Sequence, residues 1–325
     1  MMETPAHLPG TPVPGPIGST TLFADLDVQV DLDAPLAQHT WFGVGGRADA
    51  LVRPHSMRAL STLLQRCSRQ AVPVRVLGSG ANLLVDDEGV DGVVLKLDTP
   101  EFQGFALNAQ GVPYAVRVGA GRDMSRTTND CVRQGLAGLE QMTGIPASIG
   151  GALKMNAGGK YGAIGDAVHS VALVTWQGQE QVYARAEIPF QYRHSGIPEG
   201  VLVWSILSLA PSDPVALRQR VREISAYKAS VQPLAASSAG CMFKNPLHPV
   251  SGERVSAGKL IDEAGLKGLR VGNAEVSAQH GNFLVAQPGA RASELMSLAD
   301  QVADKVWERL GVRLEREVVF WKRGQ

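Results

Sequence analysis

Val72-Pro73-Val74-Arg75-Val76-Leu77-Gly78-Ser79-Gly80-Ala81-Asn82-Leu83-Leu84-Val85 is a short strand that enters a glycine-rich turn and leaves it as a second apolar strand. Successive backbone N–H groups in such a turn form a concavity suited to an anion, although an ordinary turn between two elements has the same composition. The turn lacks the Lys-Ser/Thr ending of a phosphate-binding loop of the Walker type, which argues against nucleotide hydrolysis. Upstream, Leu60, Leu63, Leu64 and Cys67 fall at i, i+3, i+4 and i+7 and predict a one-faced helix over 57–70. Downstream, Val93-Val94-Leu95 reads as a further strand. Together they describe a small α/β unit with a glycine loop at a strand end.

Working outward, Gly43-Val44-Gly45-Gly46-Arg47-Ala48 has the spacing of a dinucleotide fingerprint. That fingerprint must open a helix, whereas Ala48–Pro54 reads as a strand, so the stretch is taken as a turn rather than a Rossmann site. Val116-Arg117-Val118 predicts a strand and 122–134 a helix. Gly138 to Gly159 is so rich in glycine and small residues that neither an ordinary helix nor a central strand is expected there. It suits a backbone wrapped closely around a ligand. Strands are expected at 168–176, 181–184 and 201–209.

Pro211-Ser212-Asp213-Pro214 reads as a linker, with Asp213 capping and Pro214 opening a helix over 214–228. Leu295, Leu298, Val302, Val306 and Leu310 predict a second long helix, stopped by Gly311. A final strand over 312–321 places Val312, Leu314, Val318 and Phe320 on one face, with Arg313, Glu315 and Glu317 opposite, as on a solvated edge.

At 325 residues the chain suits two or three domains. Its 36 glycines and 6% aromatic content point to a loop-rich α/β or α+β enzyme. Lys+Arg and Asp+Glu are both 31, so there is no basic field for nucleic acid, although a local basic pocket for a phosphorylated ligand is compatible with neutrality. Cys67, Cys131 and Cys241 are too widely spaced for a disulfide framework or a zinc site, which predicts a reducing, intracellular setting and no metal. No apolar run reaches the roughly 18 residues of a membrane helix. The first 21 residues hold five prolines and three glycines and read as a disordered tail.

Ser237-Ser238-Ala239-Gly240-Cys241-Met242-Phe243-Lys244-Asn245-Pro246 delivers a thiol, an ammonium and an amide within a small-residue turn. Taken singly, the residues that could carry chemistry have plain readings. Cys241 reads as a buried inert thiol, Arg193 in Tyr192-Arg193 as a surface ion pair or a carboxylate grip, and His280 as a hydrogen-bonded loop histidine.

Collectively, the chain from about Leu36 to Trp321 resembles the UDP-N-acetylenolpyruvoylglucosamine reductase (UDP-N-acetylmuramate dehydrogenase) family. The resemblance is carried by Thr40-Trp41-Phe42-Gly43-Val44-Gly45-Gly46, Gly78-Ser79-Gly80-Ala81-Asn82-Leu83-Leu84, Gly144-Ile145-Pro146-Ala147-Ser148-Ile149-Gly150-Gly151-Ala152 and Met155-Asn156-Ala157-Gly158. Tyr192-Arg193, Ser238 to Pro246, Ala257-Gly258-Lys259-Leu260-Ile261-Asp262, Gly265-Leu266-Lys267-Gly268 and Leu314-Glu315-Arg316-Glu317-Val318 complete it in the same order. Only 47 residues separate Arg193 from Cys241, which resembles the shorter subclass without an inserted tyrosine lid, so Tyr192 takes no lid role.

The resemblance implies an α+β protein. A vanillyl-alcohol-oxidase-type FAD-binding fold of two α/β subdomains, 22–98 and 99–210, follows the tail at 1–21 and precedes a substrate-binding domain at 211–325. It implies noncovalent FAD held by Gly78, Ser79, Gly80, Ala81, Asn82 and Leu83, with Gly144, Ile145, Pro146, Ser148, Gly150 and Gly151 along the flavin. It further implies that NADPH reduces FAD, which passes hydride to the enolpyruvyl ether of UDP-N-acetylglucosamine to make UDP-N-acetylmuramate. Arg193 and Glu317 match the family's carboxylate-polarising pair and Cys241 its proton donor, a position where many members carry serine. Tyr192, Lys228, Lys244, Asn245 and His280 match substrate positions. A monomeric cytoplasmic enzyme of peptidoglycan precursor synthesis, serving cell-wall biogenesis, cell shape, the cell cycle and cell division, is the implied setting. The rivals are a flavin-dependent sugar or alcohol oxidase of the same superfamily, which lacks the 241–245 segment combined with Arg193 and Glu317, and a nucleotide-sugar-binding protein without catalysis.

Overall fold

In the computed structural model, residues 21–324 are described; the expected tail at 1–21 lies outside them but for Thr21. Leu22 is already buried in the core. Strands β1 (Val28–Pro35) and β2 (Arg47–Pro54) pair antiparallel, and helix α1 (Met57–Arg69) follows, capped by Ser56, whose hydroxyl accepts from the Ala59 amide. Strand β3 (Val74–Val76) precedes the glycine loop and β4 (Leu83–Val85) follows it. Strand β5 (Val90–Leu95) lies parallel to both β2 and β3, giving a sheet in the order β1-β2-β5-β3. The four apolar residues expected on one face of α1 are all buried.

The middle of the chain builds an antiparallel sheet. Strands β6 (Phe105–Leu107) and β7 (Ala115–Gly119) lead to helix α2 (Met124–Arg133), which Asp123 caps. After β8 (Leu136–Ala137) comes helix α3 (Ile149–Lys154), then the small hairpin β9 (Gly158–Gly159) and β10 (Gly162–Ala163). Strands β11 (Val168–Val174), β12 (Glu180–Ala184) and β13 (Val201–Ser208) complete a sheet ordered β12-β11-β13-β7-β6. β14 (Ala210–Pro211) pairs with β8.

One expectation fails here. Gly150 and Gly151 sit inside α3, a regular helical turn, because the Ser148 hydroxyl accepts from the Gly151 amide and starts the helix. The glycines serve contact rather than irregularity: a Cβ on Gly150 would lie 3.1 Å from the Ala120 side chain, and the Gly150 amide donates to Ala120 O at 2.8 Å.

Helix α4 (Pro214–Val231) begins as expected, with Asp213 accepting from the Val215 and Ala216 amides. Helix α5 (Ala257–Glu263), strands β15 (Arg270–Val271), β16 (Ala274–Val276) and β17 (Leu284–Ala286), and helix α6 (Ala292–Leu310) form a separate apolar cluster around Leu295, Leu298 and Val302. Gly311 ends α6 at φ 65°. The expected strand over 312–321 is shorter than predicted: β18 covers only Val319–Trp321, parallel to β4. Residues 315–317 instead run beside 242–244, where Glu317 N donates to Met242 O and Lys244 N to Glu315 O. The glycine loop and the tail of the chain are thereby stitched together.

Candidate active site

Two hydrogen-bonded crossings set the site. Segment 241–244 is extended, flanked on one side by 282–283 and on the other by 315–317. Asn282 clamps it, its side chain accepting from Phe243 N at 2.9 Å and donating to Phe243 O at 2.8 Å. Cys241 forms a β-bridge with Phe283, and Phe243 one with Arg316. Cys241 and Glu317 are thus delivered to the same place by backbone pairing.

Arg193 arrives from the other half of the chain. Gln191 and His194 exchange two backbone hydrogen bonds, at 2.7 and 3.1 Å, so Tyr192 and Arg193 form the tip of a tight turn. Arg193 takes the second central position with φ 56°, a left-handed conformation that arginine adopts at a cost. Asn156 holds this turn: buried, itself at φ 43°, it donates to Gln191 O at 2.8 Å and accepts from Gly165 N at 3.1 Å. Arg193 Nε then lies 2.5 Å from Glu317 Oε1, with both side chains under a fifth exposed. The N–H is not aligned along that contact, so it is an ion pair rather than a well-directed hydrogen bond.

Burial governs the protonation of the acids. It pushes the Glu317 carboxyl above its ordinary range, against the opposing pull of Arg193 and Lys244. Burial first, and the Glu317 charge second, push the Cys241 thiol up to about 12, with Arg193 and a hydrogen bond with Asn282 opposing. Cys241 keeps a solvent-exposed edge while protein packs around most of it. It is a thiol that stays S–H at neutral pH, beside a cation able to meet the thiolate it would leave.

The other expected residues divide. Tyr192 Oη accepts from Asn245 N at 3.1 Å, and the Arg254 guanidinium stacks 3.9 Å over its ring. Asn245 Oδ1 accepts from Ala257 N at the start of α5. Lys244 Nζ lies 3.5 Å from Glu315 and close enough to Glu317 to bias its charge. Lys228, on α4, donates to Thr143 O at 2.6 Å; burial, then Arg193, pushes its pKa down. Its stem fills the space that a Cβ on Gly144 would need, 2.9 Å away. His280 stands apart from the charged pair: its ring accepts from Asn282 N, packs edge-on against Phe283 and faces Gly258. It braces the clamp. Asn156, Asn282 and Arg254 are contacts around the site that residue-by-residue reading passed over, although Asn156 lies in the glycine-rich stretch already singled out for its composition.

The glycine loop faces the 144–151 segment. Ser79 Oγ donates to Pro146 O at 3.4 Å, and a Cβ on Gly78 would lie 2.6 Å from Ser148 Oγ. The backbone N–H groups of residues 78–82 have no acceptor among the described residues. Gly80, at φ 69°, would place a Cβ 1.9 Å from His39 O, so only glycine permits this path. A run of unpartnered amides on a loop without side-chain bulk fits the diphosphate of a dinucleotide cofactor. Asn82 Nδ2 donates to Glu317 O at 3.1 Å, joining this cradle to the acid of the charged pair.

Comparison with known proteins agrees with this geometry. A reductase called UDP-N-acetylenolpyruvoylglucosamine reductase, from Syntrophobacter fumaroxidans, is 41% identical over 299 residues, covering 90% of this chain and 84% of that one. The chain belongs to the UDP-N-acetylenolpyruvoylglucosamine reductase family. The family's C-terminal-domain model matches residues 232–321, and an FAD binding domain model matches 48–182, which contains both the glycine loop and the 144–151 wall. The relative from Moorella thermoacetica is 37% identical, covering 92% of this chain and 95% of its own. The crystal structure of the UDP-N-acetylenolpyruvylglucosamine reductase of Thermus caldophilus superposes with a TM-score of 0.76 at 39% identity, covering 91% of this chain and 99% of that one. The α+β fold with an FAD-binding half, expected from the sequence, holds.

Proposed function

We propose that the chain reduces the enolpyruvyl ether of UDP-N-acetylglucosamine to the lactyl ether of UDP-N-acetylmuramate, using NADPH and noncovalently bound FAD. The observation that carries this reading is the buried Arg193–Glu317 pair set beside a protonated Cys241. Bound FAD would supply, from NADPH, the hydride for the terminal alkene carbon. The amides of 78–82 would hold its diphosphate, and the 144–151 segment would line its ring.

The remaining chemistry falls to side chains of this protein. Arg193 draws the substrate carboxylate in and stabilises the charge that develops on it as hydride arrives. Glu317, already pushed toward its neutral form, shares a proton with that carboxylate. Cys241 gives its S–H proton to the adjacent carbon, completing the saturated C–C bond and leaving a thiolate that Arg193 balances. Lys228, Lys244, Asn245 and Tyr192 hold the nucleotide sugar, and His280 supports the loop that clamps 241–243. The division into 22–98, 99–210 and 211–325 belongs to the same reading, as does a monomer acting in the cytoplasm on peptidoglycan precursors, serving cell shape and division. Among the described residues no helix is long and apolar enough to cross a membrane.

Anaerobic titration of the yellow protein with NADPH, followed by addition of the enolpyruvyl nucleotide sugar, tests the proposal. Bleaching and then stoichiometric return of the flavin colour are expected. Return of colour with oxygen alone, and none with the nucleotide sugar, would assign the protein to the oxidases instead.

A further inference from the structure

A cleft of about 360 Å³ opens beside the glycine loop, lined by Gln38, His39, Thr40, Trp41, Ser79 and Lys96. Lys96 directly follows β5, and its amide donates to Val52 O at 3.0 Å, so its base is fixed to the sheet. Its side chain is only 18% exposed. An ammonium carries three N–H donors, yet among the described residues this one reaches only Gly78 O, at 3.5 Å, and the Asp98 carboxylate, at 4.0 Å. Both distances lie at the outer limit of useful contact. Asp98 is engaged more closely by Arg53, at 3.3 Å. Burial is the main reason that Lys96 is pushed toward its neutral form, partly offset by Asp98, and His39 beside it is likewise pushed toward neutrality by burial and by Lys96.

A buried ammonium with such thin compensation is costly unless an anion joins it. The unpartnered amides of residues 78–82 begin at the residue whose carbonyl Lys96 touches. Two independent features, a cation short of partners and a run of amides without acceptors, therefore meet at one cleft. We propose that Lys96 is the counter-charge for the diphosphate of FAD, adding an ion pair to the hydrogen bonds of the glycine loop. The proposal rests on the flavin reading of that loop. A diphosphate also occurs in the nucleotide sugar, but the ammonium placed next to Arg193 is Lys228, not Lys96.

The test is release of FAD from diluted holoenzyme, followed by the rise in flavin fluorescence, for the parent, K96M, K96Q and K96R over a range of KCl concentrations. K96M and K96Q should raise the Kd for FAD by about 10- to 100-fold, the size of a charge-assisted contact. K96R should stay within about threefold of the parent, since it keeps the charge. The affinity of the parent should fall more steeply with salt than that of K96M or K96Q. Reading K96Q beside K96M keeps the test intact if the apolar variant fails to fold. An unchanged Kd in both neutral variants overturns the proposal, and so does weaker binding with an unaltered salt dependence, which would mark a packing role. Unchanged FAD affinity with a raised requirement for the nucleotide sugar would assign the cleft to that diphosphate and equally overturn it. Wild-type protein that holds no flavin would instead overturn the reading beneath it.

Discussion

The surroundings of Cys241 keep its thiol protonated rather than nucleophilic, which is what the proposed proton-donor role requires. At a pKa of about 12 its thiolate is scarce at neutral pH, whereas a free thiol is partly ionised. With iodoacetamide at pH 8, the Cys241 peptide followed by mass spectrometry should be alkylated about a thousandfold more slowly than an unperturbed cysteine. Alkylation at the rate of a free thiol would mean that Arg193, not burial and Glu317, sets its ionisation. Glu317 shows the same priority. Its folded-state pKa is raised, so its stabilising contribution is complete below the unfolded carboxylate pKa and is lost as pH rises through the shifted value. An ordinary paired carboxylate behaves the opposite way. At neutral pH this acid works against stability, consistent with a residue placed for chemistry.

The turn at 191–194 shows how an element can be assembled for a single side chain. Arg193 stands at φ 56° in a turn that Asn156, also left-handed, holds by tying Gln191 to Gly165. Asn156→Ala removes both bonds, leaving the buried Gly165 amide without this partner while Gln191 O keeps only the His194 amide, which should cost about 1–3 kcal/mol in chemical denaturation. The rate of substrate-driven flavin reoxidation should fall with it, while bleaching by NADPH is retained. Equal loss of both half-reactions would mean that Asn156 acts only through overall stability. Helices α1 and α6 were legible in the sequence from their apolar periodicity, with Gly311 as the stop of α6, and α4 from the Asp213 cap and Pro214, all of them local signals. Helix α3 was not, since Gly150 and Gly151 argue against a helix until Ala120 is known to press against them. The 312–321 stretch read as one strand because its alternation is real, with Val312 and Val318 buried. Its partners change along its length, from 242–244 to β4, and no local pattern reports that. The site shows the same limit. Arg193, Cys241 and Glu317 each looked ordinary alone, and only the resemblance to a family connected them.

At the scale of the molecule, the site exists because the end of the chain returns to its beginning. β18 pairs with β4 directly after the glycine loop, Asn82 holds the Glu317 carbonyl, and Asp87 accepts from the Ala292 and Ser293 amides at the start of α6. The glycine loop and Glu317 therefore share one hydrogen-bonded framework, while the 191–194 turn contributes Arg193 from outside it. Three stretches distant in sequence converge on one thiol. The most direct test is stopped-flow measurement of the two half-reactions in Cys241→Ala and Cys241→Ser. Bleaching by NADPH should match the parent in both variants. Reoxidation by the enolpyruvyl nucleotide sugar should slow by about a thousandfold in the alanine variant, the scale of a lost general acid, and the serine variant should retain substantial turnover. Reoxidation of Cys241→Ala at the parental rate would contradict the account.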